Sequence, residues 1–189
     1  MPSPISHMAM GYVVYKVFKN RVGTSRKISN VFSSLFIIIV VLSLLPDFDA
    51  IPGILAGNLK RFHNNESHSL FVAVGIAILG AIFMRWRKRE NFRYWFLLIF
   101  SCVGLHIVMD YFTYGRGVMA FWPLSSERFI SPVLLFYGLH WSEGIFSVKH
   151  LWTIVNETIF VLITLLVMRI IDFARRKRNG SKASIQGVK

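Results

Sequence analysis

Long apolar runs are the feature that most constrains how this chain can fold. Hydrophobic residues make up 54% of its 189 residues, and water-soluble domains of this size are less apolar. A membrane-spanning helix needs about 20 mainly apolar residues. The runs fall in five segments: Ile5–Phe18, Val31–Leu45, Ser69–Met84, Tyr94–Thr113 and Leu151–Ile171. We therefore predict an all-α, polytopic membrane helix bundle of about four to five membrane segments, with residues 1–173 as the membrane domain and 174–189 as a basic cytoplasmic tail.

The connections between these segments carry weaker signals. The first segment is short, so it is either a thin spanning helix or an interfacial one. Pro46 is expected to end the second segment. Residues 47–67 are expected to form an irregular loop, because they contain proline and glycine. The aromatic-rich residues 114–150 suit a lid or re-entrant piece at the membrane interface, and the tail from Arg175 is expected to be disordered.

The distribution of positive charge predicts the topology. The formal net charge is +13, and most of the basic side chains lie in residues 16–27, 85–93 and 175–182. The positive-inside rule places these tracts in the cytoplasm and the loops 47–67 and 114–150 outside. Because membrane topology explains the charge, we expect membrane lipid to be a partner and nucleic acid not to be one.

Histidine and aspartate side chains are the candidate functional groups. His106 and Asp110 are four residues apart on a predicted helix, so they share a face. The predicted topology brings seven such residues to one membrane face, the outer one: His7, Asp47, Asp49, His63, His68, His106 and Asp110. Imidazole and carboxylate together suit zinc, and manganese is a further possibility. The alternative is a set of hydrogen bonds that joins helices.

The number of candidate ligands suggests more than one ion. Four histidines and three aspartates exceed the needs of a single zinc ion, so we expect one to two or more divalent metal ions. A pair of ions bridged by carboxylate would activate water and stabilise a phosphoryl displacement. Asp49 and Glu66 are candidate general bases, and Arg116 is a candidate phosphate ligand. Ser67 and Ser69 would orient the histidines or cap the third segment.

Other residues have less specific readings. Cys102 is expected to be a core residue. His140 and Glu143 could add metal ligands, although an interfacial loop is the better interpretation. Glu157 lies in the fifth apolar segment, where it could pair with a neighbouring helix or face a cavity.

The chain resembles the YdjM/YbcI family of inner-membrane proteins, which are described as membrane-bound metal-dependent hydrolases. The family elements are an N-terminal histidine, Leu-Pro-Asp-x-Asp, His-Arg-Gly-x-Thr-His-Ser, and His-x-x-x-Asp followed by glycine and a proline-containing turn. Here they correspond to His7, Leu45–Asp49, His63–Ser69, His106–Asp110, Gly115 and Trp122–Pro123. The resemblance covers residues 7 to 125, but Asn64 and Asn65 replace the Arg-Gly pair.

A more distant resemblance links the order of these residues to zinc-dependent phospholipase C and P1-type nucleases, which implies phosphoester hydrolysis. The resulting hypothesis is a multi-pass inner-membrane hydrolase that cleaves a lipid or lipid-linked phosphoester with metal-activated water at the extracytoplasmic side. The alternatives are a metal-handling or transport protein and a non-enzymatic membrane partner protein. The substrate, the metal and the oligomeric state stay open at this point.

Overall fold

The fold is known from a computed structural model, which describes residues 1–19, 34–57, 63–139 and 148–186. These ranges contain six α-helices: α1 (Pro4–Phe18), α2 (Ser34–Leu44), α3 (Ala50–Leu55), α4 (Leu70–Lys88), α5 (Phe92–Tyr111) and α6 (Lys149–Gln186). Two 3-10 turns, Leu45–Asp49 and Glu66–His68, precede α3 and α4. Within the described ranges, β-structure is limited to isolated bridges in the loop after α5. The predicted all-α fold is therefore confirmed.

Four helical stretches are long and apolar enough to cross a membrane. They are Ser34–Leu55, Leu70–Lys88, Phe92–Tyr111 and His150–Arg178. The 15-residue α1 is not among them, and it packs against α2, α5 and α6. The multi-pass prediction is confirmed, and α1 is a helix of the bundle that is too short to count as a span by length.

The irregular loop predicted for residues 47–67, after α2, is wrong over residues 47–55. The α-helix ends at Leu44, but a 3-10 turn and α3 follow without a break. Pro46 lies at the start of the 3-10 turn and Pro52 in the first turn of α3. The first N–H groups of a helix have no intrahelical acceptor, so proline is tolerated at these positions.

The disordered tail predicted from Arg175 is also wrong as far as Gln186, where α6 ends. Arginine and lysine are good helix formers, and the segment Arg175–Arg178 contains neither glycine nor proline. The helix of the fifth apolar segment therefore continues into the basic tract instead of ending at the membrane boundary.

Small side chains allow the helices to pack closely. Ala73, Ala77 and Ala81 form one fully buried stripe of α4, and this helix packs extensively against α5. On the other side of the bundle, Gly11 of α1 faces Ser43 of α2. Small residues let helix backbones approach each other in lipid, where the hydrophobic effect does not drive association.

The helix directions place the candidate site at one end of the bundle and the basic residues that the structure describes, such as Lys16 and Arg87, at the other. Asp47 follows α2, His68 precedes α4 and Asp110 lies in the last turn of α5. At the other end, Lys16 in the last turn of α1 pairs with Asp172 of α6. The convergence expected from the charge pattern is thus present.

We predict that Gly11→Val destabilises the protein while Gly75→Val does not. A Cβ on Gly11 would lie 2.7 Å from Ser43 Oγ, whereas one on Gly75 would meet nothing within 4 Å. Overpacking of this kind costs about 1–3 kcal/mol. Thermal unfolding in detergent, followed by size-exclusion chromatography, measures the difference. Equal unfolding temperatures for the two variants would contradict the close α1–α2 approach.

Candidate metal centre

Four buried or nearly buried side chains converge between α2, α4 and α5. One nitrogen or oxygen atom from each of Asp47, His68, His106 and Asp110 lies within 4.8 Å of the others. His68, His106 and Asp110 are almost completely buried, and the Asp47 side chain is 11% exposed. We call these four residues the His/Asp cluster. The 3-10 turns position Asp47 and His68, and α5 supplies the remaining pair.

The Nε2 atoms of the two cluster histidines face the two carboxylates. His68 Nε2 lies 3.0 Å from Asp110 Oδ2, and His106 Nε2 lies 3.3 Å from Asp47 Oδ1. The two Nε2 atoms are 3.2 Å apart. These atoms therefore surround one small volume from several directions, as the ligands of a metal ion do.

His7 extends the cluster on the α1 side. Its Nε2 lies 3.7 Å from Asp110 Oδ1, and its ring stacks on that of His106 with the ring centres 3.7 Å apart. His7 is 1% exposed. Neither ring nitrogen of this buried residue has a hydrogen-bond partner among the described residues, so Nε2 is available as a further ligand.

Asp49 and His63 form the adjoining part of the site. His63 Nδ1 is 2.5 Å from Asp49 Oδ1, and His68 Nδ1 is 3.4 Å from Asp49 Oδ2. Asp49 also accepts hydrogen bonds from Ser67 Oγ and the Asn64 N–H. Both of its oxygens are thus occupied, and Asp49 orients two histidines here. Its predicted role as ligand or base stays a prediction.

Backbone and hydroxyl groups fix the tautomers of the histidines. The Ser43 carbonyl lies 2.7 Å from His106 Nδ1 and can only accept, so this nitrogen carries a proton and Nε2 is the ring nitrogen that faces the cluster. Ser67 Oγ, which donates to Asp49, lies 2.8 Å from His68 Nδ1. Hydrogen bonds at the far ring nitrogen are the usual way of holding a metal-ligating histidine in place.

The carboxylates of the cluster fit a bound cation. Both carboxylate oxygens of Asp47 and of Asp110 are buried without a directed hydrogen bond from the described residues, and unpaired buried carboxylates are costly. Burial favours neutral His68, yet Asp110, Asp47 and Asp49 outweigh it and hold the pKa of His68 well above its ordinary value. The cluster attracts positive charge, which either protons or a metal ion can supply.

The other predicted site residues lie around this centre. Arg116, although exposed, donates through Nη2 to the carbonyl oxygen of His63. Ser69 caps α4 by accepting from the Phe71 N–H and donates to the Trp122 carbonyl. Glu66 shares a 3-10 turn with His68, but its side chain is exposed. His140 and Glu143 lie outside the described residues.

Two contributors were missed at the level of sequence. Arg128 donates to the Asn64 carbonyl oxygen at 2.8 Å and to Asn65 Oδ1 at 2.5 Å. These hydrogen bonds stabilise the turn between His63 and His68. The sequence did carry a signal for Arg128: residues 114–150 contain few basic side chains, and Arg128 is one of them. The carbonyl of Ser43 had no such signal, because backbone groups look alike in every sequence.

The fold and the cluster together define a class: a multi-pass membrane protein with a buried His/Asp site that could hold a metal ion. The chain belongs to the YdjM inner membrane protein family, whose model matches residues 1–177. This confirms the family expected from the sequence elements and an inner-membrane location.

One similar protein is the inner membrane protein YbcI of Escherichia coli (strain K12). It is 33% identical over 97 residues, which are 49% of this chain and 56% of that protein. The aligned part of the chain thus spans little more than half the length of this curated relative. No solved structure matches the chain.

We predict that His106→Ala lowers metal binding while His150→Ala does not. His106 Nε2 faces both cluster carboxylates, whereas His150 starts α6 outside the cluster. Elemental analysis after loading with zinc or manganese measures the metal per chain. Stoichiometric binding by wild type and by His150→Ala, with loss in His106→Ala, is the expected result. Metal retained by His106→Ala would contradict this ligand set.

Proposed function

We propose that this protein is a metal-dependent hydrolase of the inner membrane that cleaves a phosphoester. The observation that supports the proposal is the His/Asp cluster, in which buried carboxylates and imidazole Nε2 atoms face one another without other partners. Hydrogen bonds that merely joined helices would be expected to give these oxygens well-directed donors, since buried polar groups are normally satisfied. Among the described residues the oxygens of Asp47 and Asp110 have no such donor, and only imidazole nitrogens lie close to them.

The His/Asp cluster and His7 would hold the metal. His63, which lies next to Asp49, would be a further ligand. Zinc matches this mixture of nitrogen and oxygen donors, and manganese is the next candidate. A bound divalent ion would lower the pKa of a water molecule and would stabilise the negative charge of a phosphoryl group. His63 Nε2 is 4.0 Å from Asp47 Oδ1, which is compatible with a second ion that shares Asp47.

The chain's own residues would supply orientation and charge. Asp49 keeps the Nε2 atoms of His63 and His68 directed away from itself. Arg116 lies beside the His63 backbone, where its guanidinium would bind a phosphate oxygen of the substrate. Glu66 is exposed next to these groups and would pass a proton to solvent.

A lipid or lipid-linked phosphoester is the proposed substrate class. Asp47 lies within the candidate membrane span Ser34–Leu55, and Asp110 lies in the last turn of another span. The loop after α5 exposes large apolar side chains, among them Phe121, Leu124 and Leu134. An apolar surface beside the metal centre would contact the acyl chains of a lipid. The phosphate headgroup of that lipid would then lie next to the metal-binding side chains.

We further propose that the site faces the extracytoplasmic side, on the basis of the positive-inside rule. With Cys102→Ser as background, a cysteine in place of exposed Ser126 should react with an impermeant maleimide in intact cells. A cysteine in place of Arg87, in the last turn of α4, should react only after permeabilisation. The opposite labelling pattern would place the site in the cytoplasm.

The activity itself is tested with purified protein loaded with zinc or manganese. We expect release of phosphate or of a phosphorylated headgroup from phospholipids or lipid-linked phosphates, and its loss in His106→Ala. Arg116→Ala should mainly raise KM, because it would weaken substrate binding without removing the metal. The matched control is His150→Ala, which should keep wild-type activity.

Two outcomes would contradict the hydrolase. The first is full activity in His106→Ala, which would assign the hydrolysis to a contaminant. The second is stoichiometric metal binding with metal flux into proteoliposomes and no hydrolysis of any lipid phosphate, which would indicate a metal-handling protein.

A further inference from the structure

A second buried carboxylate, outside the His/Asp cluster, lies on α6. Glu157 is 3% exposed and sits inside a stretch long and apolar enough to span the membrane. An ionisable residue in such a position is costly, so its partners indicate its role. Neither the family match nor the proposed chemistry makes use of it.

The partners of Glu157 all lie in the first turn of α1. Its Oε1 accepts from the Ser3 N–H at 2.7 Å, and its Oε2 accepts from Ser6 Oγ at 2.8 Å and from Ser3 Oγ. Ser3 is the N-cap of α1. A carboxylate at this end of a helix also interacts favourably with the helix dipole. Glu157 therefore fixes both the position and the rotation of the start of α1.

His7 directly follows Ser6 in α1. Its ring extends from α1 toward His106 and Asp110 of the His/Asp cluster. No described hydrogen bond holds its ring nitrogens, so the ring is positioned by stacking on His106 and by the backbone of α1. A rotation of the first turn of α1 would carry Nε2 away from Asp110. The attachment of that turn thus decides whether His7 can act as a ligand.

The same face of α6 also holds the loop that follows α5. Thr153 Oγ1 donates to the Gly138 carbonyl at 2.6 Å, and Asn156 Nδ2 donates to the Leu135 carbonyl at 3.1 Å. Thr153, Asn156 and Glu157 are three and four residues apart, so they lie on one side of the helix. This polar stripe connects α6 to two parts of the chain that border the metal centre.

We propose that Glu157 is a positioning residue that holds His7 in the metal centre through Ser3 and Ser6. The role as ligand rests on the proposed function, whereas the placement of His7 can be tested without metal. Glu157 itself does not touch the cluster ligands in the described contacts, and it acts through the first turn of α1.

The first experiment measures the accessibility of His7 in metal-free protein. Diethyl pyrocarbonate modification, read by mass spectrometry, should be slow at His7 in wild type and fast in Glu157→Ala. Glu157→Gln should keep the protection, because an amide can still accept from the Ser3 N–H. Cys102, which is buried on α5, should stay unreactive toward maleimide in all of these variants as a sign that the bundle is intact.

Asp172→Asn is the matched control. Asp172 joins α6 to the opposite end of α1 through Lys16, so it tests whether any loss of an α1–α6 contact exposes His7. We expect His7 to stay protected in this variant. Equal exposure in Asp172→Asn and Glu157→Ala would overturn the proposal, as would protection of His7 in Glu157→Ala.

The second experiment measures zinc affinity. Glu157→Ala should weaken binding by about 10- to 100-fold, as the loss of a group that orients a ligand does. The effect should disappear in a His7→Ala background, because both changes remove the same ligand. An undiminished effect there would show that Glu157 acts elsewhere and would overturn the proposal.

Two further outcomes are informative. If Glu157→Ala also exposes Cys102, Ser6→Ala replaces it as the test, and protection of His7 in Ser6→Ala would then overturn the proposal. If wild type binds neither zinc nor manganese, the proposed hydrolase fails, while the accessibility of His7 still decides whether Glu157 positions it.

Discussion

The structure depends on two carboxylates that are held among imidazoles in an apolar interior. Among the described residues, no donor makes a well-directed hydrogen bond to Asp47 or Asp110, and burying such groups without compensation costs more than a single helix contact provides. The histidines that face them come from different parts of the chain. A positive charge at the centre, carried by a metal ion or by protons, therefore links α1, the two 3-10 turns and α5, and the remaining contacts set the geometry around it.

Around this centre, the histidines are oriented by groups on other elements. Asp49 holds His63 and His68, and the carbonyl of Ser43 holds His106. The first turn of α1 is attached to α6 by hydrogen bonds. Such outer contacts are what distinguishes a site preorganised for a metal from a chance meeting of polar side chains. They also explain why polar residues occur singly in otherwise apolar helices, where each costs energy unless it is paired.

Most of the fold and most of the cluster could be predicted from the sequence. The apolar runs predicted about four to five membrane segments, and the described residues contain four stretches long and apolar enough to span. The distribution of lysine and arginine predicted that the histidines and aspartates would lie at one end. The failures have local causes. The α-helix α2 ends at Leu44, directly before Pro46, as predicted. The loop predicted after it is wrong, because Pro46 and Pro52 lie in first turns, where a helix does not need their N–H groups. The basic residues Arg175–Arg178 continue α6 because arginine and lysine favour helix and this stretch contains neither glycine nor proline.

The sequence by itself determined the membrane class, the helix content and the set of ionisable residues available for a site, because hydropathy and charge are local properties of the chain. Only the tertiary structure decided their roles. Asp47 and Asp49 are two residues apart, yet one faces the cluster and the other orients two histidines. Their division of labour follows from the 3-10 turn, in which side chains two residues apart point in different directions. Long-range contacts then decide what each of them meets: Asp47 lies beside His106 of α5, and Asp49 lies beside His63 and His68.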